Sequence, residues 1–180
     1  MALFVPNIKH IGRCSYSNED SCIYDPNKTI IGSFVSIGHN VRIGHGNHPT
    51  NYLSSSPYLY FNRLGYKAKS MPSHEEWDTL DQIIIGNDVW IGDNVWVKNG
   101  VTIGDGAIVG ACSVVTHDIP PYAIVVGNPA KVLKYRFSEE IISDLLTLKW
   151  WDLSDNIIKT LQYDDINTCI KQLKKIRNRE

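Results

Sequence analysis

Apolar residues recur every six positions along the stretch 85–119. Read in sixes, the chain runs IGNDVW, IGDNVW, VKNGVT, IGDGAI, VGACSV and VTHDIP. Each block opens with Ile or Val, its fifth residue is apolar or small, and four of the six blocks have Gly second. Neither an α-helix, which repeats every 3.6 residues, nor a plain strand, which repeats every two, gives this spacing. The pattern predicts a parallel β-helix, in which each unit supplies one strand and one corner.

Three units complete one triangular coil, so residues eighteen positions apart are expected to lie above one another, about 4.8 Å apart. The predicted vertical pairs are Ile85 with Ile103, Ile91 with Val109, and Val97 with Val115. These stacks fill the prism interior, and each coil buries its neighbour. We expect Gly at the second place to turn the corner, with backbone dihedrals that other residues disfavour.

The same phase appears earlier in the chain. Ile31, Ile37 and Ile43 open three consecutive blocks, and Ile11 opens an isolated one. The polar stretch 17–27 that follows it is interpreted as an interruption of the prism.

The repeat is absent from residues 49–82, which contain three prolines and six aromatic residues. A long insertion in a compact fold is usually functional or disordered, and the aromatic content argues against disorder. We interpret residues 49–82 as an ordered excursion loop that contacts a ligand or a neighbouring subunit. The alternative is a loop that packs only on its own prism.

Helical patterns follow the last hexapeptide. Ser138 can cap a helix with an acidic first turn, and apolar stripes recur over 157–161 and 166–176. Between the helix capped by Ser138 and the stripe 157–161, Trp150 and Trp151 are expected to pack against the prism.

The expected domains are therefore a prism over 1–136, including the excursion loop 49–82, and a helical extension over 137–180.

Composition narrows the possible functions. The 180 residues are 43% hydrophobic with a formal net charge of -1. This charge argues against bulk nucleic-acid binding, which needs a basic face. No apolar run approaches the roughly 20 residues that span a bilayer, and the N-terminal stretch lacks the features of a signal peptide. Four cysteines without a CxxC pair favour reduced thiols, so we expect a cytoplasmic protein without a transmembrane segment.

One repeat breaks its own rule. The block IGHGNH has Asn47 at its fifth place, ends in His48, and runs directly into the excursion loop. Functional sites are where local consistency fails, and histidine is the usual general base near neutral pH. A single histidine also fits a polar loop residue that is bonded to backbone.

The repeats, the segment GNHPTN and the run IGNDVWIG…IGDGAIVGACSVVTHDIPPY…GNPAKVLKYRF resemble the hexapeptide-repeat acetyltransferases. The most similar branch contains the xenobiotic (streptogramin and type B chloramphenicol) enzymes and relatives that acetylate sugars of surface polysaccharides. The resemblance implies an all-β fold, a left-handed parallel β-helix, with a C-terminal helical segment. It also implies a homotrimer with active sites between subunits, acetyl-CoA as co-substrate, and no required metal.

The resemblance also assigns residues. His48 matches the family's catalytic histidine, which takes the proton from an acceptor hydroxyl as that oxygen attacks the thioester directly. The positions that match contacts to coenzyme A are Trp90 in the cleft, Asp93 and Ala111 along the pantetheine, Thr116 as a further contact, and Lys131 and Lys134 at the nucleotide. The family often has Lys after the Thr, whereas this chain has His117, so a contact there is in doubt.

On the acceptor side, Tyr16 matches a region that borders the acceptor, and Asn47 is the second candidate for substrate binding. The loop sequence and the extra N-terminal segment associated with the streptogramin enzymes are missing, which favours a sugar hydroxyl as acceptor. An antibiotic acetyltransferase is the alternative.

Two other classes are more remote. A γ-type carbonic anhydrase has the same fold, and His39, His45 and His48 are potential zinc ligands. However, His39 and His45 hold equivalent places on different prism faces, so both cannot reach one site on one chain. The other class is a non-catalytic trimeric scaffold, for which we would expect intact repeats.

Overall fold

The structure is a computed structural model that describes residues 10–25, 28–56 and 81–178. Within these ranges, thirteen short strands precede three α-helices. The strands are β1 His10–Ile11, β2 Cys22–Ile23, β3 Thr29–Ile31, β4 Ser36–Ile37, β5 Arg42–Ile43, β6 Ile83–Ile85, β7 Trp90–Ile91, β8 Trp96–Val97, β9 Thr102–Ile103, β10 Ile108–Val109, β11 Val114–Val115, β12 Ala123–Val126 and β13 Lys131–Tyr135. The helices are α1 Glu139–Leu148, α2 Asp155–Ile158 and α3 Ile166–Arg177, with a 3-10 turn at Trp150–Asp152.

The strands form three sheets, which are the faces of a triangular prism. Face A contains β1, β3, β6 and β9; face B contains β4, β7, β10, β12 and β13; face C contains β2, β5, β8 and β11. The chain passes from A to B to C and back to A, which defines an A–B, a B–C and a C–A corner. We number the coils from the N-terminus: coil 1 is 10–25, coil 2 is 29–48, coil 3 is 83–100 and coil 4 is 102–118.

The predicted vertical stacking is confirmed. Ile85 lies opposite Ile103, Ile91 opposite Val109, and Val97 opposite Val115, all in parallel register. The three isoleucines that open the blocks of coil 2 continue these stacks downward. Val89, Val95 and Ala107 at fifth places are fully buried, so the first and fifth places together form the prism core.

The predicted interruption after Ile11 is wrong, because coil 1 is complete. Tyr16 bridges Ser36 on face B, and β2 pairs with β5 on face C. The hydrophobic pattern does not show coil 1 because its fifth places are serines, of which Ser15 is buried and Ser21 is half-buried. Ser15 Oγ accepts the N–H of Val35 above it and donates to the carbonyl of Gly32, and Ser21 makes the equivalent pair of bonds.

Among the second-place glycines, only Gly44 has the predicted positive φ. A positive φ occurs instead at the fourth place, in Cys14, Phe34, Asn40, Asp88, Asn94, Cys112 and Tyr122. The second-place glycine is needed because the next coil approaches closely. A Cβ on Gly92 would lie 2.7 Å from the Ala111 nitrogen, and one on Gly104 would lie 2.5 Å from the Pro121 nitrogen.

The C-terminal segment covers the A–B corner. Phe34 at this corner packs on Trp150, with ring centroids 4.9 Å apart, as the sequence predicted for the tryptophan pair. Arg13 pairs with Asp155 and donates to the Trp151 carbonyl at 3.0 Å. These contacts tie the helices to the prism wall.

Arg136 forms a second contact at the same corner. Its guanidinium binds the Asp88 carboxylate at 2.9 Å and the Gly106 carbonyl at 2.7 Å. Burial raises the pKa of Asp88, although the charge of Arg136 opposes this shift.

Most of the predicted excursion loop, residues 57–80, lies outside the described residues. Among the helices that are described, none has the length and apolarity of a membrane-spanning helix.

Candidate active site

The C–A corner of coil 2 differs from the other corners. After Ile43 the backbone turns at Gly44, the second place, with φ of +75° instead of at the fourth place. Asn47 then occupies the fifth place and is only half-buried, whereas Val101, the fifth residue of the block that opens at Val97, is buried. The chain therefore leaves the prism at this corner and presents the exposed side chain of His48.

The hydrogen bond of His48 defines which ring nitrogen carries the proton. Its Nδ1 lies 2.7 Å from the carbonyl oxygen of Ser55. A carbonyl oxygen can only accept, so Nδ1 carries the proton and the lone pair of the neutral imidazole is on Nε2. This tautomer is the one that a base acting through Nε2 needs.

A ladder of side-chain bonds holds coil 2 against coil 3 at all three corners. In coil 3 the third places are Asn87, Asp93 and Asn99, and each side chain accepts the backbone N–H of the residue 54 positions earlier, at 2.8, 2.8 and 3.1 Å. At the C–A corner that residue is His45, and Asn99 also donates to its carbonyl at 2.6 Å. Both backbone polar groups of His45 are therefore held by one side chain.

The same corner of coil 3 also holds the end of the excursion. The N–H of Gly100 donates to the carbonyl of Asp81, where the chain returns to face A. Asn99 and Gly100 thus fix the two ends of a segment that leaves after His45 and returns at Asp81.

Aromatic rings lie close to the C–A corner where the chain leaves the prism. The ring of His45 stacks on Trp96, with centroids 4.8 Å apart and planes at 4°. Tyr24 of coil 1 lies against Gly44 and Gly46, since a Cβ on Gly46 would be 2.8 Å from its hydroxyl. Sequence reasoning did not find Tyr24, Trp96 or Asn99, because their partners lie in other coils, and it considered His45 only as a potential zinc ligand.

Three predicted site residues lie in one column on face B. The cross-strand register runs from Tyr16 through Ser36 to Trp90, then through two isoleucines to Lys134. Trp90 is 55% exposed, and Lys131 and Lys134 are exposed on β13. Face B therefore carries Tyr16, which is predicted to border the acceptor, Trp90, which is predicted to line the cleft, and the two lysines that are predicted to contact the nucleotide.

Asp93 and Ala111 lie beside this wall, on neighbouring coils of the B–C corner. Both residues are exposed, and one carboxylate oxygen of Asp93 accepts the N–H of His39. Thr116 is separated from them by face C, and its hydroxyl lies 2.9 Å from Nδ1 of His117.

His48 and Asn47 are at the C–A corner, which is the prism edge opposite face B. One chain therefore does not bring His48 to the column of Tyr16, Trp90 and Lys134.

The histidines that might bind zinc are also apart. Among the described residues, no group of three potential ligands could hold a metal ion. His39 is at the B–C corner, 3.3 Å from the Asp20 carboxylate, whereas His45 stacks on Trp96 at the C–A corner.

Comparison with known proteins identifies relatives of this chain. Residues 82–117 match the family model "Bacterial transferase hexapeptide (six repeats)". A chloramphenicol acetyltransferase from Klebsiella aerogenes is 40% identical over 171 residues, which are 86% of this chain and 80% of the relative.

Two solved structures are similar as well. A hexapeptide-repeat-containing acetyltransferase from Vibrio cholerae, in complex with acetyl-coenzyme A, is 30% identical with a TM-score of 0.55. A maltose O-acetyltransferase from Clostridium difficile is 33% identical with a TM-score of 0.56. The matches cover 71% and 72% of this chain and about three fifths, 60% and 59%, of the solved chains.

The prism, its broken corner and these relatives define an acetyltransferase built on hexapeptide repeats. The chain belongs to the hexapeptide-repeat acetyltransferase family. Acetyl-CoA is its acetyl donor, and the neighbouring structures imply a left-handed coil.

Proposed function

We propose that this enzyme transfers the acetyl group of acetyl-CoA to a hydroxyl of a saccharide, with His48 as the general base. The observation that carries the proposal is the bond from His48 Nδ1 to the Ser55 carbonyl, which leaves the lone pair on Nε2. Nε2 takes the proton of the acceptor hydroxyl while its oxygen attacks the thioester carbonyl. The carbon–sulfur bond then breaks, and the proton passes from Nε2 to the departing thiolate of coenzyme A.

Face B supports the donor site of this proposal. Trp90 offers an exposed ring for the pantetheine arm, with Asp93 and Ala111 along the adjoining corner. Lys131 and Lys134, at the C-terminal end of the same wall, would bind the phosphates of the nucleotide.

Thr116 is the proposed further contact to the pantetheine, reached across the cleft from a neighbouring subunit. The neighbouring His117 gives no fixed positive charge, so we do not assign it a phosphate.

The proposed assembly is a homotrimer. Since the C–A corner is opposite face B, His48 of one subunit reaches a donor on face B only when a second copy supplies that face. A closed ring of head-to-tail contacts gives every subunit one such pairing. Each active site would then combine the corner of one subunit with the wall of the next.

The proposed acceptor is a sugar of a surface polysaccharide or its precursor, with Tyr16 and Asn47 as contacts and the reaction in the cytoplasm. The similarity to a maltose O-acetyltransferase supports a sugar. Chloramphenicol is the second candidate acceptor, because a chloramphenicol acetyltransferase is 40% identical to this chain.

The test is acetyl transfer from acetyl-CoA, followed by thiol release, with maltose, methyl galactopyranosides and chloramphenicol as acceptors. We expect faster thiol release with a saccharide than with chloramphenicol. Release with chloramphenicol alone would establish the antibiotic reaction instead, and release with none of them would contradict the proposed acceptor class.

A further inference from the structure

Tyr24, His45 and Trp96 form an aromatic shelf where the chain leaves the prism. The rings of His45 and Trp96 are stacked at 4.8 Å, and Tyr24 lies one coil below, against the glycines that flank His45. Tyr24 is nevertheless 52% exposed and Trp96 is 43% exposed. The shelf spans coils 1 to 3, which is about 10 Å of wall at the spacing of paired strands.

The shelf is rigid as well as exposed. The carboxamide of Asn99 holds both the N–H and the carbonyl of His45, at 3.1 and 2.6 Å. Trp96 is fixed by its strand, which pairs with β5 and β11. Exposed aromatic rings on a rigid support contribute contact area to a ligand at little cost in side-chain entropy.

Each ring of the shelf also carries one hydrogen-bonding atom. Tyr24 has its hydroxyl and Trp96 its indole N–H. The Nδ1 of His45 lies 3.0 Å from the Gly46 carbonyl, so Nδ1 carries the proton and Nε2 is an acceptor. Among the described residues, none of these three atoms has a side-chain hydrogen-bond partner, and each can therefore bind a ligand hydroxyl.

This combination suits one class of ligand. A pyranose ring has an apolar face of C–H groups and a rim of hydroxyls, so it can stack on aromatic rings while its rim binds their polar edges. The nitrophenyl ring of chloramphenicol, the second candidate acceptor, can stack on aromatic rings but has no rim of hydroxyls. We propose that the shelf of Tyr24, His45 and Trp96 binds a pyranose ring of the acceptor and presents its hydroxyl to His48. This inference rests on the proposed function, since it places the acceptor on the subunit that supplies the base.

Trp90 provides a matched comparison. Trp90 and Trp96 are one hexapeptide apart and hold the same place in the repeat, on faces B and C. Both rings are exposed, at 55% and 43%. Two equivalent tryptophans thus separate two roles: Trp90 contacts the donor and Trp96 contacts the acceptor.

The test compares Trp96→Leu with Trp90→Leu in acetyl transfer to maltose. Loss of ring stacking in Trp96→Leu is expected to raise the KM for maltose about tenfold and to leave the KM for acetyl-CoA unchanged. Trp90→Leu should have the opposite pattern. An unchanged KM for maltose in Trp96→Leu, while the wild type acetylates maltose, would overturn the shelf as the acceptor site.

Binding without turnover separates this inference from the proposed function. Saturation-transfer NMR should show maltose bound to the wild-type enzyme, with the signal reduced in Trp96→Leu and in Tyr24→Leu. Equal signals in all three proteins would overturn the inference even if acetylation is observed. Light scattering compares the assemblies, and a Trp96→Leu variant that loses the wild-type oligomeric state would assign Trp96 to a subunit contact and overturn its role in the shelf.

Discussion

The A–B and C–A corners are built from the same hexapeptide but are used differently. At the A–B corner the chain covers itself, because Phe34 packs on Trp150 and Asp88 binds Arg136. At the C–A corner of coil 2 the repeat stops at Asn47 and the chain leaves the prism with His48 exposed.

The same side-chain hydrogen bond between coils 2 and 3 nevertheless occurs at both corners. Asn87 accepts the N–H of Ser33 at the A–B corner, and Asn99 accepts that of His45 at the C–A corner. The prism is therefore equally anchored at both edges, and only the segments attached to it differ. The described contacts of the C-terminal segment are at the A–B corner, and the candidate base is at the C–A corner, where the chain leaves the prism.

The largest expected effect comes from His48→Ala at the C–A corner. Loss of the general base should lower kcat by about 10²- to 10⁴-fold without unfolding the prism. The matched control is His39→Ala, since His39 holds the third place of the B–C corner in the same coil and is exposed. Steady-state thiol release checks both variants. A His48→Ala enzyme that is as active as His39→Ala would remove the base from the mechanism.

The covered corner should respond in stability instead of activity. Trp150→Ala removes the ring that packs on Phe34 and on Trp151, and we expect a loss of about 2 kcal/mol in the free energy of unfolding. Trp150→Phe, which keeps a ring, should lose less. Urea denaturation measures the stability, and kcat of the folded enzyme should be unchanged. A fall in kcat comparable to that of His48→Ala would show that the two corners are not independent.

Asn99→Ala and Asn87→Ala test these equivalent hydrogen bonds directly. Each variant should lose about 1–3 kcal/mol of stability, because a backbone N–H loses its partner. Only Asn99→Ala should also lower kcat, by about tenfold, because it releases the segment that leads to His48. Equal kcat in the two variants would mean that the hydrogen bonds of Asn99 do not position the base.

The smallest expected effect is a pH dependence at the covered corner. Burial raises the pKa of Asp88, so the folded protein binds this proton more tightly than the unfolded chain does. The resulting stability is fully present below the unfolded pKa of about 3.9 and is lost as pH rises through the folded pKa. The free-energy difference between wild type and Asp88→Asn should therefore decline with rising pH in urea titrations. A difference that grows with pH would show that the ion pair with Arg136 outweighs burial.

The prism interior was predictable because its signal is local and periodic. Ile85 and Ile103 could be paired from their spacing alone, since eighteen residues make one uninterrupted coil. Coil 1 was missed because its fifth places, Ser15 and Ser21, are held by hydrogen bonds to the coil above, and a hydrophobic pattern does not show such partners.

The candidate site was predictable only in part. His48 was proposed as the base because it follows a break in the repeat, and it stays a prediction. Asn99 and Trp96 were not, because their contacts with His45 cross the excursion, and the sequence does not give the register of two coils joined by an insertion of unknown path. The family resemblance assigned the residues of the column on face B. Only the sheet register showed that they lie on one face.

The attachment of the excursion at Asn99 and Gly100 has a consequence for how such enzymes can diversify. Its two ends are held by adjacent residues of one coil, so the chain between them can be exchanged without changing any strand pairing. Doubling the length of a flexible segment costs only about 0.6 kcal/mol in loop closure. The part of the excursion that follows His48 can therefore differ in length between such enzymes, while the coils of the prism, the C–A corner and face B keep their structure.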